Sequence, residues 1–78
     1  MSDYHVQAEW DDDAGVWVAT SDTVPGLATG ADTLEELIEK LKVVIPDLLE
    51  ANGLLPDDAS DVPFSITAER TEHARRVA

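Results

Sequence analysis

The chain has 78 residues, 44% hydrophobic and 5% aromatic, with no cysteine and a formal charge of −12 at pH 7. That length holds one small domain, burying roughly 60–65% of the surface its unfolded chain exposes, and the missing thiols exclude disulfides, thiolate zinc sites and cysteine nucleophiles. No apolar run approaches the ~18 residues of a membrane span and no segment resembles a leader, so a cytoplasmic protein is expected.

The charge is unevenly spread. Through residue 68, fifteen carboxylates stand against Lys40 and Lys42, for −13, whereas residues 69–78 carry Glu69, Glu72, Arg70, Arg75 and Arg76, for +1. Such a field repels nucleic acid and anionic membrane and steers basic proteins toward the surface. It also keeps any small domain soluble, which alone is a sufficient reason for it. With few aromatics, the core is aliphatic and anchored by some of Tyr4, Trp10, Trp17 and Phe64. A domain this thin gains stability by self-association, so a homodimer is expected.

Tyr4, Val6, Ala8 and Trp10 alternate with His5, Gln7 and Glu9, the pattern of a half-buried strand. Asp11 to Gly15 supply turn formers and a glycine able to take positive φ, which suits a hairpin loop. Val16 to Thr20 form the second strand, with neither face clearly polar. Its register is open: Trp17 is a core residue if it faces the helix, and an interface anchor if Val16 and Val18 do.

Pro25-Gly26 favours a type II turn, and Leu27 to Thr29 leave room for a short third strand before Gly30 and Ala31. A helix is predicted from about Thr33 to Asn52. Asp32 and Glu35 have capping-box spacing, and Gly53 ends the helix in the left-handed conformation. Leu34, Leu37, Ile38, Leu41, Val44, Ile45 and Leu48 form its apolar stripe. Pro46 falls inside and lacks the amide owed to the Lys42 carbonyl; since Leu48 continues the stripe, one kinked helix is expected rather than two.

After a return loop opened by Leu54 and Leu55, Val62, Phe64, Ile66 and Ala68 again alternate, giving a fourth strand with Pro63 marking it as an edge. A right-handed crossover through the helix places it parallel to the first strand. The predicted fold is therefore α+β, a two-layer β-β-β-α-β domain over residues 1–70 with sheet order 3-2-1-4, mostly antiparallel, with one kinked helix on one face. Residues 71–78 form a basic tail.

Chemistry is sparse. Asp11 to Asp13 suit a turn better than a metal site, which needs further converging ligands, and His5 and His73 have no partner at triad or zinc spacing. Glu35, Glu36 and Glu39 give the helix favourable first-turn charge and a solvent face, with Glu36 and Lys40 at ion-pair spacing. No catalytic residue, cofactor or metal is assigned. Three tail arginines beside so acidic a body make a poor nucleic-acid footprint.

Trp10-Asp11-Asp12, Gly15-Val16-Trp17-Val18-Ala19 and the run from Val24 through Pro25-Gly26 and Thr29-Gly30-Ala31-Asp32-Thr33 to Leu37 resemble the HicB-like antitoxin family, most closely its short, functionally uncharacterised branch. The resemblance covers nearly the whole chain. It implies a partial ribonuclease H-like fold without the nuclease site, in a non-catalytic domain that occludes a small basic mRNA-cleaving toxin. The operator-binding region of full-length members has no counterpart in these residues, so masking of a toxin is the part that carries over. The charged surface expected to meet such a partner comprises Asp11, Asp12, Asp13, Glu35, Glu36 and Glu39, with Trp17 as an aromatic anchor. A stand-alone oligomeric module and a divergent metal-dependent nuclease are the alternatives; the nuclease needs several fixed acids on one sheet face.

Overall fold

The computed structural model describes residues 4–55 and 61–77. Along the chain run β1 (Tyr4–Asp11), β2 (Val16–Thr20), β3 (Ala28–Ala31), α1 (Leu34–Ala51) and β4 (Phe64–Glu69). The sheet has the order β3-β2-β1-β4, antiparallel at β1–β2 and β2–β3 and parallel at β1–β4. A parallel pair needs a long crossover, and α1 supplies it. The α+β fold and strand order are those the sequence predicts.

The alternation in β1 reads directly as burial. Val6 and Ala8 are buried, Tyr4 and Trp10 half-buried, and His5, Gln7 and Glu9 exposed. Register settles β2, because directly opposed residues share a face: Ala8 stands opposite Ala19 and Trp10 opposite Trp17. Trp17 and Ala19 therefore lie on the helix side, and Val16 and Val18 on the other. Where β2 ends opposite Gln7, side chains continue the ladder. The His5 amide donates to Thr23 Oγ1 at 2.8 Å, and Ser21 Oγ donates to the His5 carbonyl.

The Pro25-Gly26 turn forms as its sequence dictates. Gly26 has φ 80° and the Leu27 amide donates to the Val24 carbonyl at 3.3 Å, which is type II geometry. This turn drives Val24 and Leu27 into the core. Gly30, in β3, has another reason to be glycine: a Cβ there would lie 2.9 Å from the Trp17 carbonyl oxygen.

The helix cap falls one residue later than the spacing of Asp32 and Glu35 predicts. Thr33 is the N-cap, its hydroxyl accepting from the Glu36 amide at 3.1 Å, while Asp32 is exposed ahead of it. Thr33 and Glu36 have the same three-residue offset, so the sequence offered two overlapping boxes. The stripe forms as predicted at six of its seven positions: Leu37, Leu41 and Ile45 are fully buried together with Leu49, and Leu34, Val44 and Leu48 pack beside them, while Ile38 is half-buried at its margin. Leu49 joins the stripe beyond its predicted members. A fully buried leucine or isoleucine contributes about 1.5–3 kcal/mol, so these four dominate the core.

α1 is a single helix through Pro46. It ends in a Schellman arrangement, with Gly53 at φ 68°, the Gly53 amide donating to Glu50 and the Leu54 amide to Leu49. Leu55 packs on the core there, but Leu54 is 47% exposed. Lys40 does not pair with Glu36 as its spacing predicts; its Nζ donates to the Gly30 carbonyl at 2.6 Å, tying the helix to the edge strand β3.

α1 runs closest to β3 and β2. The β1–β4 side of the same face is covered less. Phe64 and Ile66 are half-buried, and Ala68, predicted inward, is exposed although it stands beside the buried Ala8.

Candidate partner-binding surface

The acidic residues converge through topology. β1 ends at Asp11, β3 runs antiparallel to β2 so that Ala31 stands opposite Trp17, and β4 runs parallel to β1 so that Glu69 stands opposite Glu9. The hairpin tip, the start of α1 and the end of β4 therefore share one end of the sheet. Asp11, Asp12, Asp13, Asp32, Glu35 and Glu36 occupy it, all exposed.

Two of the three hairpin aspartates have a local role for their carboxylates. Asp11 Oδ1 accepts from the amides of Asp13 and Ala14 at 3.1 and 3.2 Å, and the Gly15 amide donates to the Asp11 carbonyl at 2.8 Å. This is an Asx-type turn closed by Gly15 at φ 68°. Asp12 Oδ1 accepts from the Trp10 indole at 2.6 Å. Asp13 is exposed to solvent. The turn reading of this run thus accounts for two of its three carboxylates.

On the helix, Glu35 and Glu36 lie in the first turn and Glu39 one turn further, where it pairs with Lys42 at 3.2 Å across exposed side chains. An exposed pair of this kind contributes little to stability. Trp17 is half-buried against the core, edge-on to Trp10 with ring centroids 5.6 Å apart and planes at 66°. It links the hairpin to the helix start through its neighbour Ala31 and is not an outward anchor on the opposite sheet face.

One participant escaped sequence reasoning. The Arg70 guanidinium lies 4.0 Å from the centroid of the Trp10 ring, and Arg70 Nε donates to Glu72 Oε1 at 2.6 Å. An arginine directly after a strand that parallels the tryptophan strand was the available signal. Beside this stack a depression is lined by Glu9, Trp10, Asp12, Glu69 and Arg70, and a second, lined by Glu9, Trp10, Asp12, Asp13 and Val18, opens toward the outer sheet face. Their walls are carboxylates around a tryptophan, a surface for cationic groups.

On the outer sheet face, His5 Nδ1 lies 2.9 Å from Ser65 Oγ, a solvent-exposed pair between β1 and β4. Among the described residues, no three of His, Asp and Glu group closely enough to hold a metal ion, and no helix is long and apolar enough to cross a membrane.

Among curated proteins none matches the chain. A solved structure does: the crystal structure of hypothetical protein TTHA1013 from the extremely thermophilic bacterium Thermus thermophilus is 52% identical, with 94% of this chain and 97% of that chain covered and a TM-score of 0.68. The family model for a domain of unknown function, DUF1902, matches residues 3–78, and the chain belongs to that family.

Proposed function

We propose that this chain is a non-catalytic, HicB-like protein-binding domain that neutralises a small basic, mRNA-cleaving toxin by covering its RNA-binding surface. The observation that carries this reading is the gathering of Asp11 to Asp13 and Glu35 and Glu36 at one end of the sheet, where no lysine or arginine ion pair among the described residues neutralises them. A cationic RNA groove meets such a surface with fast, salt-sensitive association. The HicB-like reading supplies a partial ribonuclease H-like fold, and the cytoplasm as the place where such a partner would be met.

The test is titration against the product of an adjacent small basic reading frame by calorimetry, at low and high salt, with RNA cleavage by that product as the second readout. Binding that weakens as salt rises, with cleavage suppressed at stoichiometric ratio, supports the reading. No heat at low salt removes it.

A further inference from the structure

β4 is an edge strand. Among the described residues its outer side carries no partner strand, and its helix-facing side chains Phe64, Ile66 and Ala68 are half-buried, half-buried and exposed. The opposite edge is treated differently, since Lys40 reaches the Gly30 carbonyl of β3, and lysine on an edge discourages strand addition.

We propose that β4 is the dimer interface of this protein, pairing antiparallel with β4 of a second copy so that two four-stranded sheets become one of eight strands. A two-fold axis normal to the sheet keeps both helices on the same face, so inward residues must oppose inward residues. Centring the axis on Ile66 satisfies this with complementary sizes. Ile66 meets its own copy, and Phe64 lies opposite Ala68, the small exposed position that α1 leaves uncovered. On the outer face Ser65 lies opposite Thr67, a hydroxyl pair suited to cross-strand contact. Moving the axis to Ser65 sets Asp61 against Glu69, and moving it to Thr67 sets Phe64 against Arg70; the first opposes two carboxylates and the second leaves Phe64 without an apolar partner.

The chain beyond β4 fits the same occupant. Residues 70–77 have no regular secondary structure and are exposed. The Cα extents are 61 × 25 × 19 Å and the radius of gyration is 15.1 Å, where a compact chain of this length has about 11–12 Å. This arm carries the arginines of the protein, Arg70, Arg75 and Arg76, and among the described residues Arg75 and Arg76 make no ion pair. Antiparallel pairing of β4 sends each arm past the start of β4 in the other copy, whose residues through 68 carry a charge of −13, and brings Arg75 and Arg76 toward opposite charge.

The test is sedimentation equilibrium of the full chain at moderate salt, across a dilution series. The expected mass is twice the 8.4 kDa of one chain. Ala68→Arg, at a position exposed in the single chain, is expected to return the mass to one chain with an unchanged far-UV circular dichroism spectrum. Because the protein has no cysteine, Ile66→Cys is expected to cross-link to itself under mild oxidation, whereas Ala28→Cys on the β3 edge is not. A single-chain mass for the unmodified protein, a dimer indifferent to Ala68→Arg, or cross-linking of the Ala28→Cys variant in place of the Ile66→Cys variant would each overturn the proposal.

Discussion

Arg70 covers the face of Trp10 at 4.0 Å, while Trp10 meets Trp17 edge-on with ring centroids 5.6 Å apart. The end of β4 is thereby fastened to the hairpin by a cation on an aromatic face. Arg70→Ala is expected to lower unfolding free energy by about 0.5–1 kcal/mol, the range for an exposed cation–π contact. Urea denaturation followed by tryptophan emission measures this, with a shifted native spectrum marking the uncovered indole.

Thr33, not Asp32, caps α1, so the two substitutions separate cleanly. Thr33→Ala removes the acceptor of the Glu36 amide and is expected to cost about 0.5–2 kcal/mol. Asp32→Ala is expected to cost less than half of that. Equal losses by thermal denaturation would return the cap to Asp32.

Gly30→Ala places a methyl group against the Trp17 carbonyl oxygen, backbone that cannot swing aside. We expect a loss of about 1–3 kcal/mol, the scale of overpacking. Gly15→Ala tests a different mechanism, since nothing lies near its Cβ and only the positive φ opposes it; about 1–2 kcal/mol is expected. Native-state hydrogen exchange localises the damage to β3 in the first case and to the hairpin in the second.

Leu41 and Ile45 are fully buried, while Val43 on the same helix is 64% exposed. Leu41→Ala or Ile45→Ala is expected to cost about 2–5 kcal/mol, a large share of the few kcal/mol a domain of this size holds. Val43→Ala should be nearly silent in the same urea titration.

Asp13→Asn and Glu35→Gln remove charge from the sheet end without touching the turn bonds of Asp11 or the cap of Thr33. Asp13→Asn is expected to leave the melting temperature in place and Glu35→Gln to lower it slightly through the lost first-turn charge, and both are expected to slow association with the proposed basic partner, read by stopped-flow at low salt. Asp11→Asn is expected to affect stability as well, because its carboxylate closes the hairpin.

Much of the architecture was legible because simple periods governed it. The alternation of β1, the Pro25-Gly26 turn, the Gly53 stop and the order of strands followed from local chemistry and the handedness of crossovers. What escaped did so for identifiable reasons. Two overlapping capping boxes differ by one residue, and only the backbone at Thr33, φ −126° and ψ 158°, decides between them. β2 has apolar residues on both faces, so its orientation came from register with β1 rather than from its own pattern. Ala68 obeys the alternation, yet its exposure depends on where a helix elsewhere in the chain comes to rest. Lys40 exchanged its sequence neighbour Glu36 for a carbonyl ten residues away, a choice that spacing along a helix does not reveal. The acidic end was visible residue by residue, but its convergence needed the strand directions, and Arg70 joined it only through the parallel β1–β4 pairing.

The lysine resting on the Gly30 carbonyl also bears on how far the proposed assembly can go. A sheet open on both flanks recruits copies without limit and grows into fibrils, whereas one that is guarded on one flank has a single docking side and uses it up on meeting its twin. Under the β4 pairing proposed above, Lys40 is the terminator: the closed pair is the expected endpoint, and replacing Lys40 is expected to leave a second open flank on every molecule.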